Sequence, residues 1–259
     1  MRGKFLVVFL GFVFCFCSLS VLAQVEEQNA QFFLVVEEVV KPPMVSKFEE
    51  TAKEELALLA ENHFPYTCYM YATDNYIYYY VWPVKDYADI GNLMNTWMEM
   101  VKKIGMEKWQ ALNVQKGKTL ESYKFGAIRH RPDLSYFQEN PRFKPEEANF
   151  MYLVFCSILP GKESEFEQIC REWVKLDTEV NRSDAYDVFV VEMGSEMPLY
   201  FWTSRGISAA DFHKQQEIYG TKGGEKIMEL WDRTMALCKK YEDKTGWYRP
   251  DLSYIPKEK

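Results

Sequence analysis

Arg131-Pro132-Asp133-Leu134-Ser135-Tyr136 recurs letter for letter as Arg249-Pro250-Asp251-Leu252-Ser253-Tyr254, 118 residues further on. The same offset aligns Gly105, Glu107, Lys108, Leu112 and Tyr123 with Gly223, Glu225, Lys226, Leu230 and Tyr241, and Phe48 with Phe166. Two such units account for the chain from Gln24 to its end, so the sequence reads as a duplicated domain. The first unit is expected over 24–140 and the second over 150–259. Between them, 141–149 carries Pro141, Pro145 and several charges, the composition of a boundary.

Each unit has the same predicted order. A β-rich run opens it, Phe32 to Val40 and Phe150 to Ile158, each stopped by Pro42-Pro43 or Pro160-Gly161. A helix follows, with apolar stripes Phe48, Ala52, Leu56, Leu59 and Phe166, Ile169, Cys170, Trp173, Val174. Next comes an aromatic hairpin, Tyr66 to Ala72 with Tyr76 to Trp82, matched by Tyr186 to Glu192 with Leu199 to Trp202. A broken helix is predicted over Asp86 to Lys124, interrupted at Gly105, and over Ala209 to Asp243, interrupted around Gly220 to Gly224. The repeated hexapeptide then leads into a short closing strand, Leu134 to Phe137 and Leu252 to Ile255. The order β-α-β-β-α-β is a ferredoxin-like unit of the α+β class, with helices on one face of its sheet. A second copy in the same chain would cover the bare face.

That doubled order, its repeat length and the extra helix after the third strand resemble the dimeric α+β barrel superfamily, especially tandem forms related to the antibiotic-biosynthesis-monooxygenase-like and NIPSNAP-like families. The resemblance covers about residues 32 to 255 and implies two sheets pressed into one barrel with helices outside. It also implies cofactor-independent monooxygenase chemistry or haem handling as an alternative function. No catalytic signature of those families is present.

Residues 1–23 read as a secretory signal. Arg2 and Lys4 precede an apolar run from Phe5 to Leu22, and Val21 and Ala23 fit the small-residue positions of a cleavage site before Gln24. An exported protein, periplasmic or secreted, is therefore expected, with no stable membrane insertion after cleavage. Of six cysteines, Cys68, Cys156, Cys170 and Cys238 remain in the mature chain, each in an apolar stretch. Cys170 and Cys238, placed on two neighbouring helices, form the one pair worth testing for a disulfide. The net charge of −7, without any Lys/Arg run, argues against nucleic acid as partner. No metal-ligand spacing, phosphate loop or nucleophile elbow occurs.

Candidate site residues are few. Arg131 and Arg249 are candidates for binding an anion, against the alternative that the hexapeptide is a structural clamp; its retention in both units favours the clamp. His213, on the short helix expected beside the barrel mouth, is a candidate general base or haem ligand, against the alternative of a surface histidine. His63 and His130 lack a repeat counterpart, and His130 aligns with Tyr248. With 17 Tyr, 18 Phe and 7 Trp, aromatic residues make up 16% of the chain, and they concentrate in the hairpin strands. Tyr78, Tyr80, Trp82 and Trp202 are candidates to line a cavity for a planar or apolar ligand, with core filling as the alternative. The reading is thus a barrel that binds a small apolar or aromatic molecule between its sheets. Its rivals are an oxygenase or haem-handling enzyme and a packed scaffold that binds a protein partner. The cofactor is unknown, and a homo-oligomer is left open.

Overall fold

The computed structural model describes residues 31–144 and 147–256. The expected signal over 1–23 lies outside the described residues. Eight strands and six helices follow in order: β1 (Phe32–Val40), α1 (Val45–Glu61), β2 (Tyr69–Thr73), β3 (Ile77–Val84), α2 (Tyr87–Ile104), α3 (Met106–Gly117), β4 (Leu120–His130), β5 (Phe150–Ile158), α4 (Glu163–Glu179), β6 (Tyr186–Met193), β7 (Leu199–Gly206), α5 (Ala209–Gly223), α6 (Glu225–Leu237) and β8 (Cys238–Tyr248).

The strands close into one barrel in the order β1-β3-β2-β8-β5-β7-β6-β4, every neighbour antiparallel. Closure leaves no sheet edge. It is made by β4, which joins β1 to β6, and by β8, which joins β5 to β2.

Alternation along the strands explains why they look apolar throughout. On β1, Leu34 and Val40 point to the helices and are almost fully buried there, while Phe33 and Val35 point into the barrel. Both faces meet something other than bulk water, so neither can be polar throughout. The helices lie outside. Phe48 of α1 and Phe166 of α4 are both fully buried, each against a tyrosine of the barrel wall, Tyr78 and Tyr200, at 4.6 and 4.9 Å between ring centres.

Two expectations are corrected. The closing strands are not Leu134 to Phe137 and Leu252 to Ile255. The strands are β4 and β8, which precede the hexapeptides, and the preceding helices stop at Gly117 and Leu237. The hexapeptides begin with single 3-10 turns, Pro132–Leu134 and Pro250–Leu252, and Tyr136 and Tyr254 make only isolated bridges, to Tyr186 and Cys68. Much of β4 and β8 is exposed at the barrel rim, so charged residues there imitate a helix face. Cys238 is likewise not helical. It opens β8 and makes no disulfide with Cys170; Cys68, Cys156, Cys170 and Cys238 are all free thiols.

Candidate active site

The barrel is hollow. A cavity of about 820 Å³ runs between the strands, lined by inward-facing residues of all eight. Its volume lies in the range of small-molecule sites.

One wall is a row of rings. Phe155 of β5 stacks on Phe201 of β7 at 5.2 Å, and Phe201 stacks on Phe189 of β6 at 5.0 Å and 13° between planes. Phe189 then meets the imidazole of His130 at 5.1 Å. The register makes this row: Phe155 is paired with Phe201 and Phe201 with Phe189, and directly opposed residues share a face.

At the end of the row sits the site's acid–base pair. His130, the last residue of β4, places Nε2 2.9 Å from Oδ1 of Asp187 on β6. The Ser135 hydroxyl is 3.4 Å from the same nitrogen, but it already donates to the Arg131 carbonyl at 2.8 Å and accepts from the Val188 amide at 2.8 Å. Asp187 is therefore the partner of Nε2. With the hydrogen on Nε2 donated to the carboxylate, Nδ1 carries the lone pair and can accept a proton, and the carboxylate stabilises the imidazolium that results. Tyr71, Tyr248 and Arg205 line the same end. Tyr71 lies 5.4 Å from Tyr248, ring to ring, and burial pushes its hydroxyl pKa up, so it remains a neutral donor.

The other end carries lysines and acids. Lys244 of β8 is paired with Leu153, a cavity residue, and so faces inward. Its Nζ donates to the Tyr79 hydroxyl at 3.1 Å and lies 4.7 Å from the centre of the Phe155 ring.

The residues expected to form a site are distributed differently. Tyr78, Tyr80 and Trp82 belong to the core beneath the helices, and Trp202 packs against the core on the other side; none lines the cavity. Their inward-facing neighbours Tyr79, Val81, Phe201 and Thr203 do, one residue out of phase. His213 is exposed on α5, its ring 6.5 Å from Phe150, and does not line the cavity, so neither a base nor an axial haem ligand inside the barrel can come from it. Arg131 and Arg249 are clamps. Arg131 donates to both oxygens of Asp133 at 2.8 and 2.7 Å and to Glu167 of α4 at 3.0 Å. Arg249 does the same with Asp251 at 2.8 Å and with Glu49 of α1 at 2.9 Å. Four of the five N–H donors of each guanidinium are taken by two carboxylates, which also compensate its charge. Among the described residues no group of three or more His, Cys, Asp or Glu side chains could hold a metal ion.

No protein-family model matches the chain. No curated protein matches it either. Solved structures do. An anthrone oxidase-like protein superposes with a TM-score of 0.60 at 12% identity, over 86% of this chain and 93% of that one. A monooxygenase-like protein from Fusobacterium nucleatum gives 0.54 at 10% identity, over 85% and 92%. A chlorite dismutase mutant from Candidatus Nitrospira defluvii gives 0.50 at 7% identity, over 85% and 93%. These neighbours are dimeric α+β barrel proteins, and the closed eight-stranded barrel with its outer helices has the fold they share.

Proposed function

We propose that the protein binds a planar aromatic molecule inside the barrel and takes a proton from its hydroxyl, or from an activated ring methylene, at His130. The observation that carries this reading is the stacked row Phe155–Phe201–Phe189 ending on the His130–Asp187 pair. The row supplies a flat apolar surface for a ring system. The pair supplies a base held in one tautomer, and Arg205, with no carboxylate within 4.0 Å among the described residues, supplies positive charge toward the anion that forms. Removing that proton is the step a cofactor-free oxygenase needs: the carbanion reacts with dioxygen, and a ring methylene becomes a carbonyl with release of water. The fold shared with an anthrone oxidase-like and a monooxygenase-like protein is compatible with this chemistry.

The duplication belongs to the same proposal. The chain is a tandem of two ferredoxin-like units, related to the antibiotic-biosynthesis-monooxygenase-like and NIPSNAP-like barrels. Contacts recurring at the 118-residue spacing, Arg131 with Glu167 and Arg249 with Glu49, support it. Only one unit carries the base, because Tyr248 stands where the other has His130. Export with cleavage after Ala23 would leave the barrel whole, since β1 begins at Phe32; a mature chain starting at Gln24 by intact mass would support it.

The test is the ionisation of bound 4-nitrophenol. At a pH where the free phenol is colourless, wild-type protein should develop the yellow phenolate band and His130→Phe should not. A bound but colourless phenol in the wild type would refute the base.

A further inference from the structure

The end of the barrel away from His130 carries Glu37 and Glu242 with Lys124, Lys240 and Lys244, and their pairing leaves one cation over. Glu37, on β1 and facing inward, pairs with Lys124 at 3.2 Å. Glu242, on β8, pairs with Lys240 at 2.7 Å. Lys244 has no carboxylate within 4.0 Å among the described residues, and its contacts are the Tyr79 hydroxyl at 3.1 Å and the rings of Phe155 and Tyr79. Both of these aromatic residues line the cavity. Glu37 and Glu242 act on this half-buried ammonium from beyond contact distance, so its charge is incompletely compensated, and an anionic ligand touching Nζ would complete the pairing.

Resting on the reading of the cavity as an aromatic-molecule site, we propose that Lys244 is a carboxylate anchor and that the ligand is an aromatic acid. Its carboxylate meets Lys244, and its ring system lies on Phe155 and the row beyond, toward His130.

Lys244 touches the lining residues Tyr79 and Phe155, and three features favour it over Lys124 and Arg205, the cations that line the cavity themselves. Lys124 is already paired with Glu37. Arg205 lies at the His130 end of the cavity, beside Tyr71, and is spoken for there. Lys244 is half-buried, and burial lowers its ammonium pKa, with Lys124 and Lys240 pushing the same way and Glu37 and Glu242 opposing them. Tyr79 is held as a neutral phenol, its pKa pushed well up by burial and by Glu37, so its oxygen can accept from Lys244 and keep the amine in place. A carboxylate beside Nζ would gain a charge-assisted hydrogen bond in a site where water competes poorly.

The experiment compares 2-naphthoate with 2-naphthol, which share a ring system and differ in charge near neutral pH, by titration calorimetry against wild type, Lys244→Met and Lys244→Arg. The expected result is that wild type binds naphthoate about tenfold more tightly than naphthol. Lys244→Met should lose that preference while keeping its naphthol affinity, and Lys244→Arg should retain it. Circular dichroism and melting of both variants establish that the barrel is intact. If naphthol binds and naphthoate binds no better, the anchor is refuted and the aromatic site stands. If Lys244→Met weakens both ligands equally, the anchor is also refuted. If neither ligand binds wild type, both proposals fall together.

Discussion

Arg249, near the end of the chain, grips Glu49 on the first helix, 200 residues earlier, through Nη2 at 2.9 Å and a second bond from Nη1. Tyr78 donates to the same carboxylate at 2.7 Å. Arg131 and Tyr200 make the same arrangement around Glu167. Each hexapeptide thus fastens a helix that lies far from it in sequence, and the two clamps hold α1 and α4 against the barrel.

Arg249→Ala leaves a half-buried carboxylate without its fork, and it should cost about 2 kcal/mol in urea unfolding. The acid limb of the stability profile should change as well. The Arg249 hydrogen bond, outweighing burial, holds Glu49 below its ordinary 4.5. A carboxyl lowered on folding stabilises the protein above its unfolded value, and that stability is lost as pH falls through the folded one. Wild type should therefore lose stability below pH 4.5, and Arg249→Ala should lose less over that window.

Under α1 and α3 lies a buried ionic cluster. Lys116 Nζ is 2.9 Å from Glu38 and 3.0 Å from Glu55, and donates to Tyr80 at 3.0 Å. Lys116→Met should destabilise by about 3–5 kcal/mol because two carboxylates are left buried without a cation. Burial already holds Glu38 above its ordinary value against the pull of Lys116. Without the lysine that rise grows, so the variant should become more stable as pH falls toward the carboxyl range. Replacing Glu38 and Glu55 by Leu as well, together with Tyr80→Phe, should recover most of the loss.

At the β4–β6 seam the backbones approach so closely that a side chain has no room. A Cβ on Gly194, where φ is +93°, would meet the Phe125 carbonyl oxygen at 2.3 Å. Gly194→Ala should cost about 2 kcal/mol or more. Gly91, on α2, has nothing within 4 Å of the corresponding position, so Gly91→Ala should be neutral or stabilising by about 0.5–1 kcal/mol. Paired urea titrations measure both.

Asp187→Asn tests the base independently of the ring that carries it. The amide keeps the size of the side chain but removes the charge that stabilises the imidazolium. Proton uptake from bound 4-nitrophenol should fall by an order of magnitude or more while the affinity for neutral 2-naphthol stays unchanged.

The barrel was legible from the hexapeptide because each copy of it has a job of its own: a filled Arg fork, a Pro-started turn and a sealing Leu and Tyr. Helix stripes such as Phe166, Ile169 and Cys170 were legible because their spacing matches one buried face. The site was not, for two physical reasons. Strands buried on both faces show no polar–apolar alternation, so nothing in Ile77 to Trp82 says that Tyr79 faces the cavity while Tyr78 and Tyr80 face the helices. Reading Glu107 to Lys124 as one helix also left His130 outside any strand. Taken as a strand, Phe125 to His130 would have placed His130 on the same face as Ile128, which lines the cavity.

The central claim is that the barrel interior takes an aromatic molecule. Calorimetric titration of 2-naphthol into wild type and into Val35→Trp, which projects an indole into the cavity from β1, tests it most directly. Saturable binding of one molecule per chain to wild type, with an altered affinity in a Val35→Trp protein that still melts cooperatively, is the predicted result. Absence of binding to wild type, or equal binding to both proteins, would contradict it.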